Sequence, residues 1–484
     1  MPNFSGKIEI MNEEKTTAFK QPYLQPVKPL KQNDFNKNDL LKGASVLAIG
    51  GLITKILGAF YRIPLTTLLK SEGLGVYQTA FPIYCLLLTF SSTGVPSAIA
   101  KLVSSGYGEK GVLRKALSIF IPIGLLGSLS MGIFAFRLSS LQGNPKAYLA
   151  YIFLSPSVFL VSVISCLRGY FQGKLNMFPT AISQVLEQAV KLLVGLLLCI
   201  FIDGSYLLKG GLACLAVTIS ETITLLYLFV KFKIDGNPRG NTFILSYKRL
   251  IATLFPITLS TLIIPIARVF DSFTIVNLLS DYTSNATALY GIYTGSVESV
   301  ISVPVAICYG IAVSALPQIS SAIKNGNQKL VNDSVFKAIS LSLFLASSFG
   351  FALFLFSPLV TKILFNSLSE SEKIITSSLL SLGIFTIIGI SLMQTLTSCS
   401  IALGKSFAPC VFLSIGVFIK FIMQVNLLKI PKFNIFAVIY SDMACYFVAV
   451  FLNLLYIIYI LIKESVSNEN HVGWNRNASG RPFA

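Results

Sequence analysis

Ten ionisable side chains interrupt otherwise apolar stretches of this 484-residue chain, and they are the residues best placed to do chemistry. At the centre of a membrane helix such a group costs about 2.5–3.5 kcal/mol, so the groups that persist usually face a cavity or a partner. The ten are Lys55, Arg62, Glu187, Lys191, Glu221, Arg268, Asp271, Glu298, Lys420 and Asp442.

Two pairs among them have the spacing of neighbours on one helix face. Glu187 and Lys191 are four residues apart, and Arg268 and Asp271 are three apart. One interpretation is that each pair is an ion pair that neutralises its own helix. The other is that the basic members line a cationic cavity, while Glu187, Asp271 and Glu298 act as coupling groups or ion-pair partners.

The cavity interpretation involves four basic residues on helices that are expected to line a central gap. They are Lys55, Arg62, Lys191 and Arg268. Arginine donates two parallel hydrogen bonds to a phosphate, whereas lysine acts as a movable point charge. Such a mixture suits a pyrophosphate or acidic sugar that must be held and then released. Glu298 stands amid apolar residues and is a candidate proton or cation site, or a salt-bridge partner for a cavity Lys or Arg.

Residues typical of enzymes and metal sites are scarce in this sequence. The single histidine, His471, lies in a polar tail, and the eight cysteines show neither a C-x-x-C pair nor metal-ligand spacing. There is no G-x-x-x-x-G-K-[ST], H-E-x-x-H or G-x-S-x-G motif. We therefore predict a protein that is not an enzyme and binds no cofactor or metal. A sodium gradient, a proton gradient or the membrane potential remains open as a driving force.

Composition assigns these residues to a membrane protein. Hydrophobic residues make up 54% of the chain and charged residues 12%, whereas about 25% of an average soluble domain is charged. The mean hydropathy is +0.74. The net charge of +18 is accompanied by no basic face or aromatic nucleic-acid motif, so no nucleic-acid partner is expected.

Apolar runs long enough to cross about 30 Å of hydrocarbon follow one another along the chain, each needing about 20 helical residues. We predict an all-α integral membrane protein of about twelve transmembrane helices in two six-helix lobes that form a V-shaped bundle. The spans are expected near residues 40–62, 75–104, 112–136, 147–170, 177–202, 210–232, 249–280, 287–322, 332–357, 374–403, 407–428 and 434–462.

The polar segments give the expected domain organisation. The predicted parts are a flexible cytosolic tail (1–38), a first lobe (39–234), a cytosolic linker (235–247), a second lobe (248–463) and a cytosolic C-terminal tail (464–484). Lys and Arg are concentrated in the tails and in alternate loops, and an excess of basic residues marks the cytoplasmic side. Both termini are therefore predicted to lie in the cytoplasm.

The second half of the chain repeats features of the first half. Residues 94–102 (GVPSAIAKL) can be laid over 311–319 (IAVSALPQI), and residues 115–118 (KALS) over 337–340 (KAIS). Six helices followed by six in the same orientation make a parallel repeat, whose pseudo-two-fold axis runs along the membrane normal.

Three stretches resemble a known family. Residues 54–65 (TKILGAFYRIPL), 72–77 (EGLGVY) and 89–104 (TFSSTGVPSAIAKLVS) are similar to the opening of the polysaccharide-exporter branch of the multidrug/oligosaccharidyl-lipid/polysaccharide flippase superfamily. The resemblance is greatest to the stage V sporulation protein B group, which is related to the lipid II flippases. It covers roughly residues 40–460.

That resemblance implies export of an undecaprenyl-linked sugar or peptidoglycan precursor by alternating access across a bacterial cytoplasmic membrane, in spore cortex or cell-wall assembly. Lys55 and Arg62 match the basic first-helix positions that face the central cavity in lipid II flippases. The chain departs from that pattern at two places where those flippases carry an arginine. It has Thr89 late in the second helix, and the stretch Gly295 to Ser299, with Glu298, in the eighth. The implied partners are the lipid-linked precursor, membrane lipids and cell-wall synthesis proteins.

Two other functions remain open on the sequence alone. A cation-coupled multidrug exporter of the same superfamily would use acidic cavity residues to bind cationic drugs. A non-transporting scaffold for cell-wall enzymes would tolerate substitutions in the cavity but not deletions in its tails or loops.

Overall fold

The computed structural model describes residues 37–89, 94–104, 107–235 and 246–478, and all regular structure in these ranges is helical. The predicted all-α membrane fold is confirmed. Nearly all of the predicted N-terminal tail and linker lies outside the described residues. The α-helices are α1 Lys37–Leu88, α2 Val95–Ser104, α3 Glu109–Ile133, α4 Ala135–Leu141, α5 Tyr148–Gly173, α6 Phe178–Phe201, α7 Tyr206–Ile234, α8 Tyr247–Thr261, α9 Ile263–Ser280, α10 Ala286–Gly291, α11 Glu298–Lys324, α12 Gln328–Leu364, α13 Glu370–Ala402, α14 Ala408–Leu428 and α15 Phe436–Ala478.

The first helix contains two spans joined at a sharp break. Its apolar part, Ile49–Leu88, has 40 residues, and at 1.5 Å per residue this is about 60 Å, twice the hydrocarbon thickness. Lys70 interrupts it with φ 52° and ψ −173°. The eleven candidate spans in the described residues thus provide about twelve crossings, as predicted. We expected a loop between the first two spans, between residues 62 and 75. This prediction is wrong, because the residues there are helical on both sides of Lys70.

Two of the predicted spans are interrupted, the seventh near its middle and the eighth near its N-terminal end. The seventh is divided into α8 and α9 at Leu262. The eighth consists of α10, a π-helical turn at Ile292–Val297 and α11. Extra-residue π turns inside α-helices often occur at functional sites, and this turn directly precedes Glu298 and Ser299.

The first half of the chain (α1–α7) and the second half (α8–α15) each bury hydrophobic clusters of their own, and α8 packs against the first half. The clusters built from residues 61–217 and from residues 275–439 contain only side chains of their own half. Leu250 and Leu254 of α8, by contrast, pack with Ile99 and Tyr170 of the first half. The N-terminal part of the seventh span therefore rests on the first half, although it follows the predicted linker in sequence.

The two halves also make close backbone contact near the break in α1. A Cβ atom added to Gly291 would lie 2.5 Å from the backbone nitrogen of Gly75 and 2.5 Å from the carbonyl oxygen of Ser71. Such distances leave no room for a side chain, so α10 can approach α1 only because both positions are glycine.

Neutral hydrogen bonds support this contact. Gln78 donates through Nε2 to the carbonyl oxygen of Thr294 (3.1 Å), and Gln142 donates through Nε2 to Ser272 Oγ (2.7 Å). These residues lie towards the helix ends for which the loop-charge pattern predicts the outer side of the membrane. No ion pair within 4 Å joins the two halves at this end among the described residues.

The Gly291→Ala substitution should push the two halves apart at this end. Overpacking of a close contact costs about 1–3 kcal/mol, which corresponds to a shift of roughly 5- to 150-fold between closed and open arrangements. Double electron–electron resonance between spin labels at Leu141 and Ser280, in a background without the native cysteines, should show a population with longer distances.

Gly310→Ala is the matched control, because a Cβ atom added to Gly310 meets nothing within 4 Å. If both alanine variants gave the same distance distribution, the glycine contact would not hold the halves together.

Candidate functional site

A cavity of about 680 Å³ lies between the two halves. Its volume falls within the range of about 300–1,000 Å³ that is usual for ligand sites. The lining comes from α1, α6, α11 and α13, so both halves contribute. The lining residues are Thr54, Ile56, Gly58, Phe60, Tyr61, Arg62, Ile63, Tyr77, Phe81, Gln188, Lys191, Ser299, Ser302, Val303, Val305, Ala306, Ile307 and Gln394.

The described lining of the cavity is positively charged. Arg62 and Lys191 belong to it, and none of the described lining residues is an Asp or Glu. Arg62 donates through Nη1 to Ser299 Oγ across the two halves (2.6 Å), and Lys191 Nζ lies 5.8 Å from the ring centre of Tyr61. Neither basic group has a carboxylate oxygen within 4 Å among the described side chains. Their charges are therefore available to an anionic ligand.

The structure brings together two of the four basic residues predicted for the cavity. Arg62 and Lys191 share it, as expected for a cationic site. The Lys55 side chain lies outside the described residues. Arg268 is absent from the lining and forms an ion pair with Glu298 instead. Glu298 is therefore a salt-bridge partner, one of the two roles that the sequence left open for it. The assignment of the substrate-binding residues stays a prediction.

The two ion pairs expected within single helices do not form in the described part of the chain. Glu187 pairs with Arg168 of α5 at 2.9 Å rather than with Lys191. Asp271 likewise pairs with a residue of another helix rather than with Arg268. The sequence did not point to Arg168, because its own helix carries no acidic residue at helical spacing. Packed neighbouring helices offer partners that spacing along one helix cannot reveal.

Lys420 connects three helices of the second half. Its Nζ lies 2.7 Å from Asp271 Oδ2 of α9 and 2.7 Å from Asp442 Oδ1 of α15. Asp442 also accepts a hydrogen bond from the Tyr293 hydroxyl group. The exposed fractions are 3% for Lys420, 3% for Asp271 and 6% for Asp442. The group is a buried ion cluster, in which each charge depends on its partners.

The Arg268–Glu298 pair adjoins this cluster. Arg268, Lys420 and Asp442 line a common void of about 20 Å³, room for roughly one water-sized molecule. The combined group has two basic side chains and three carboxylates, so full ionisation would leave one negative charge uncompensated. Among the described residues, Asp271 Oδ1 has no hydrogen-bond donor. The excess of one carboxylate makes the group chemically able to take up one proton, and a coupling role for Asp271 and Glu298 stays a prediction.

A further buried carboxyl group lies in the first half. Glu221 is 1% exposed and accepts a hydrogen bond at Oε1 from the Tyr84 hydroxyl group. No basic nitrogen lies within 4 Å of it among the described side chains, and its Oε2 atom has no hydrogen-bond partner. Like the acidic residues of the second half, it is absent from the cavity lining.

Comparison with known proteins gives a consistent set of relatives. The family model described as polysaccharide biosynthesis protein matches residues 40–323, more than half of the chain. Stage V sporulation protein B of Bacillus subtilis (strain 168) is 28% identical over 350 residues, which are 68% of each chain. Lipid II flippase MurJ of the same organism is 27% identical over 427 residues, 81% of this chain and 78% of that protein.

A solved structure shows that the fold is shared more widely. It is the inward-facing conformation of a multidrug resistance MATE family transporter of the MOP superfamily, with a TM-score of 0.71 at 16% sequence identity. The match covers 85% of this chain and 95% of that one.

The Lys420→Met substitution should destabilise the second half strongly. Removing one partner of a buried ion cluster costs about 3–5 kcal/mol, because the carboxylates of Asp271 and Asp442 would remain buried without a cation. The free energy of unfolding can be measured by SDS titration of the protein in detergent micelles.

The matched control is Lys373→Met. Lys373 pairs with Glu370, whose side chain is 87% exposed, and such pairs contribute about 0–1 kcal/mol. A variant with Lys420→Met, Asp271→Asn and Asp442→Asn should regain much of the lost stability, since no unpaired charge remains. Equal destabilisation by Lys420→Met and Lys373→Met would contradict the structural role of the cluster.

Proposed function

We propose that this chain, which belongs to the polysaccharide biosynthesis protein family, moves an undecaprenyl-pyrophosphate-linked oligosaccharide or peptidoglycan precursor across a bacterial cytoplasmic membrane. The chain is a multi-pass membrane flippase or transporter and not an enzyme. The observation that carries the proposed substrate class is the cavity between the halves, whose described lining residues include two basic side chains and no carboxylate.

The charge of the cavity favours an anionic headgroup. In surroundings of low dielectric constant an uncompensated positive charge attracts an anion much more strongly than it does in water. Arg62 can donate two parallel hydrogen bonds to a phosphate group, and Lys191 can approach a second phosphate as a point charge. We assign these two residues, together with Lys55, to binding of the pyrophosphate or acidic sugar. Arg268 instead forms an ion pair with Glu298, the residue that precedes Ser299.

The contacts between the halves suit alternating access. The halves touch near the break in α1 through glycine backbone and neutral hydrogen bonds. The cavity lining extends away from this contact, along α1 from Ile63 to Thr54 and along α11 from Ser299 to Ile307. With both termini in the cytoplasm, as the loop charges predict, this cavity faces the cytoplasm. A lipid-linked precursor would enter there and leave after the outer contacts separate.

The named relatives support the same substrate class. One is called a lipid II flippase and another a stage V sporulation protein, so peptidoglycan or spore cortex assembly is the proposed setting, with cell-wall synthesis proteins as partners. A multidrug exporter is the competing function. Cation export would require acidic groups in the cavity, whereas Glu187, Glu221, Asp271, Glu298 and Asp442 all lie outside its lining.

The Arg62→Ala and Lys191→Ala substitutions should each slow flipping of lipid II, or of a simpler undecaprenyl-pyrophosphate sugar, in proteoliposomes. A hydrogen bond to a charged group contributes about 1.5–3 kcal/mol, which corresponds to a loss of roughly 10- to 150-fold. Lys337→Ala is the control, because this basic residue is exposed on α12 and does not line the cavity.

The same preparations should be tested for export of a cationic dye. The proposal fails if the wild type moves the dye but neither lipid, and the buried carboxylates then become the candidate drug site. Full flipping activity in both Arg62→Ala and Lys191→Ala would contradict the assignment of these residues to the substrate site, but not the proposed substrate class.

A further inference from the structure

A second cavity, of about 350 Å³, adjoins the first and is defined here as the α11–α12 groove. Both cavities include Arg62, Ile63, Ser299 and Val303 in their linings, so the groove begins where α1 and α11 are joined by the Arg62–Ser299 hydrogen bond. Its other lining residues are Val300, Pro304, Phe349, Ala352, Leu353, Phe356, Val360, Leu364 and Phe365.

The groove has polar side chains at only one end. Arg62 and Ser299 mark its junction with the cavity, and every other lining side chain that the structure describes is apolar. A ligand that spans both cavities would therefore meet two basic residues in the first cavity and only apolar side chains beyond Arg62. This order of charged and apolar surface matches an amphiphile whose phosphates are attached directly to a hydrocarbon chain.

We infer that the α11–α12 groove receives the phosphate-proximal part of the isoprenoid chain while the pyrophosphate lies against Arg62. The inference rests on the proposed function, because it names the place of the lipid chain of the proposed substrate. The groove is near the lower end of the usual range of ligand-site volumes, so it holds only the first part of a long polyprenyl chain. The remainder of the chain stays in the surrounding lipid.

The groove acts by position rather than by hydrophobic attraction. A hydrocarbon chain gains little by leaving lipid for protein, since lipid tails are as apolar as leucine side chains. Packing of the chain against Ala352 and Phe356 would instead hold the attached pyrophosphate in register with Arg62. Because one end of the flexible ligand is then already fixed, the ligand loses less entropy when its other end binds.

The test compares two probes with the same headgroup, undecaprenyl-pyrophosphoryl-N-acetylglucosamine and its methyl-pyrophosphoryl analogue. The affinity of the complete protein, reconstituted in nanodiscs, for each probe is measured by calorimetry. Ala352→Trp fills the groove, and Phe356→Asn places an amide in it. Phe351→Asn is the matched control, because Phe351 and Phe356 are 56% and 55% exposed on the same helix but point about 140° apart around it, and Phe351 is absent from the lining.

Ala352→Trp and Phe356→Asn should each weaken binding of the undecaprenyl probe about tenfold or more, equivalent to about 1.4 kcal/mol. Binding of the methyl probe should change less than about twofold, and the control should change neither affinity beyond that margin. An equal effect of the groove variants on both probes, no effect on either, or an equal effect of Phe351→Asn would overturn the inference and leave the proposed function intact. If the wild type binds neither probe, the proposed function itself is wrong.

Discussion

A charge placed in hydrocarbon is unfavourable unless a partner, a ligand or water compensates it, and most of the internal architecture of this protein follows from how that requirement is met. In the second half, Lys420 lies between two buried carboxylates and thereby connects α9, α14 and α15. Arg168 and Glu187 connect α5 and α6 of the first half in the same way. These pairs allow apolar helices to carry ionised groups without exposing them to lipid.

Arg62 and Lys191 differ from these paired groups in having no carboxylate partner among the described residues. Arg62 donates to a neutral hydroxyl group, and Lys191 lies over an aromatic ring. A hydroxyl group and a ring stabilise a cation less than a carboxylate does, so a ligand phosphate can replace them at small cost. The same chain thus separates charges that hold helices together from charges that remain available in a cavity.

Near the break in α1, the interactions between the two halves are weak in a way that suits reversible separation. Glycine contact and neutral hydrogen bonds join the halves near the break in α1, whereas the ion pairs among described residues lie within one half. Breaking a neutral hydrogen bond costs about 0.5–1.5 kcal/mol when water replaces the partner, much less than breaking a buried ion cluster. The two halves can therefore separate at this end while the core of each remains packed.

The sequence by itself determined the membrane class, the approximate number of spans, the family resemblance and the basic character of Arg62 and Lys191, because hydropathy and residue type are local properties. Only the tertiary structure decided which charges remain free. Helical spacing suggested Arg268 with Asp271, yet Asp271 binds Lys420, 149 residues away, and Arg268 binds Glu298. Spacing of three or four residues reports neighbours on one helix, whereas partners on different helices are chosen by packing between distant parts of the chain.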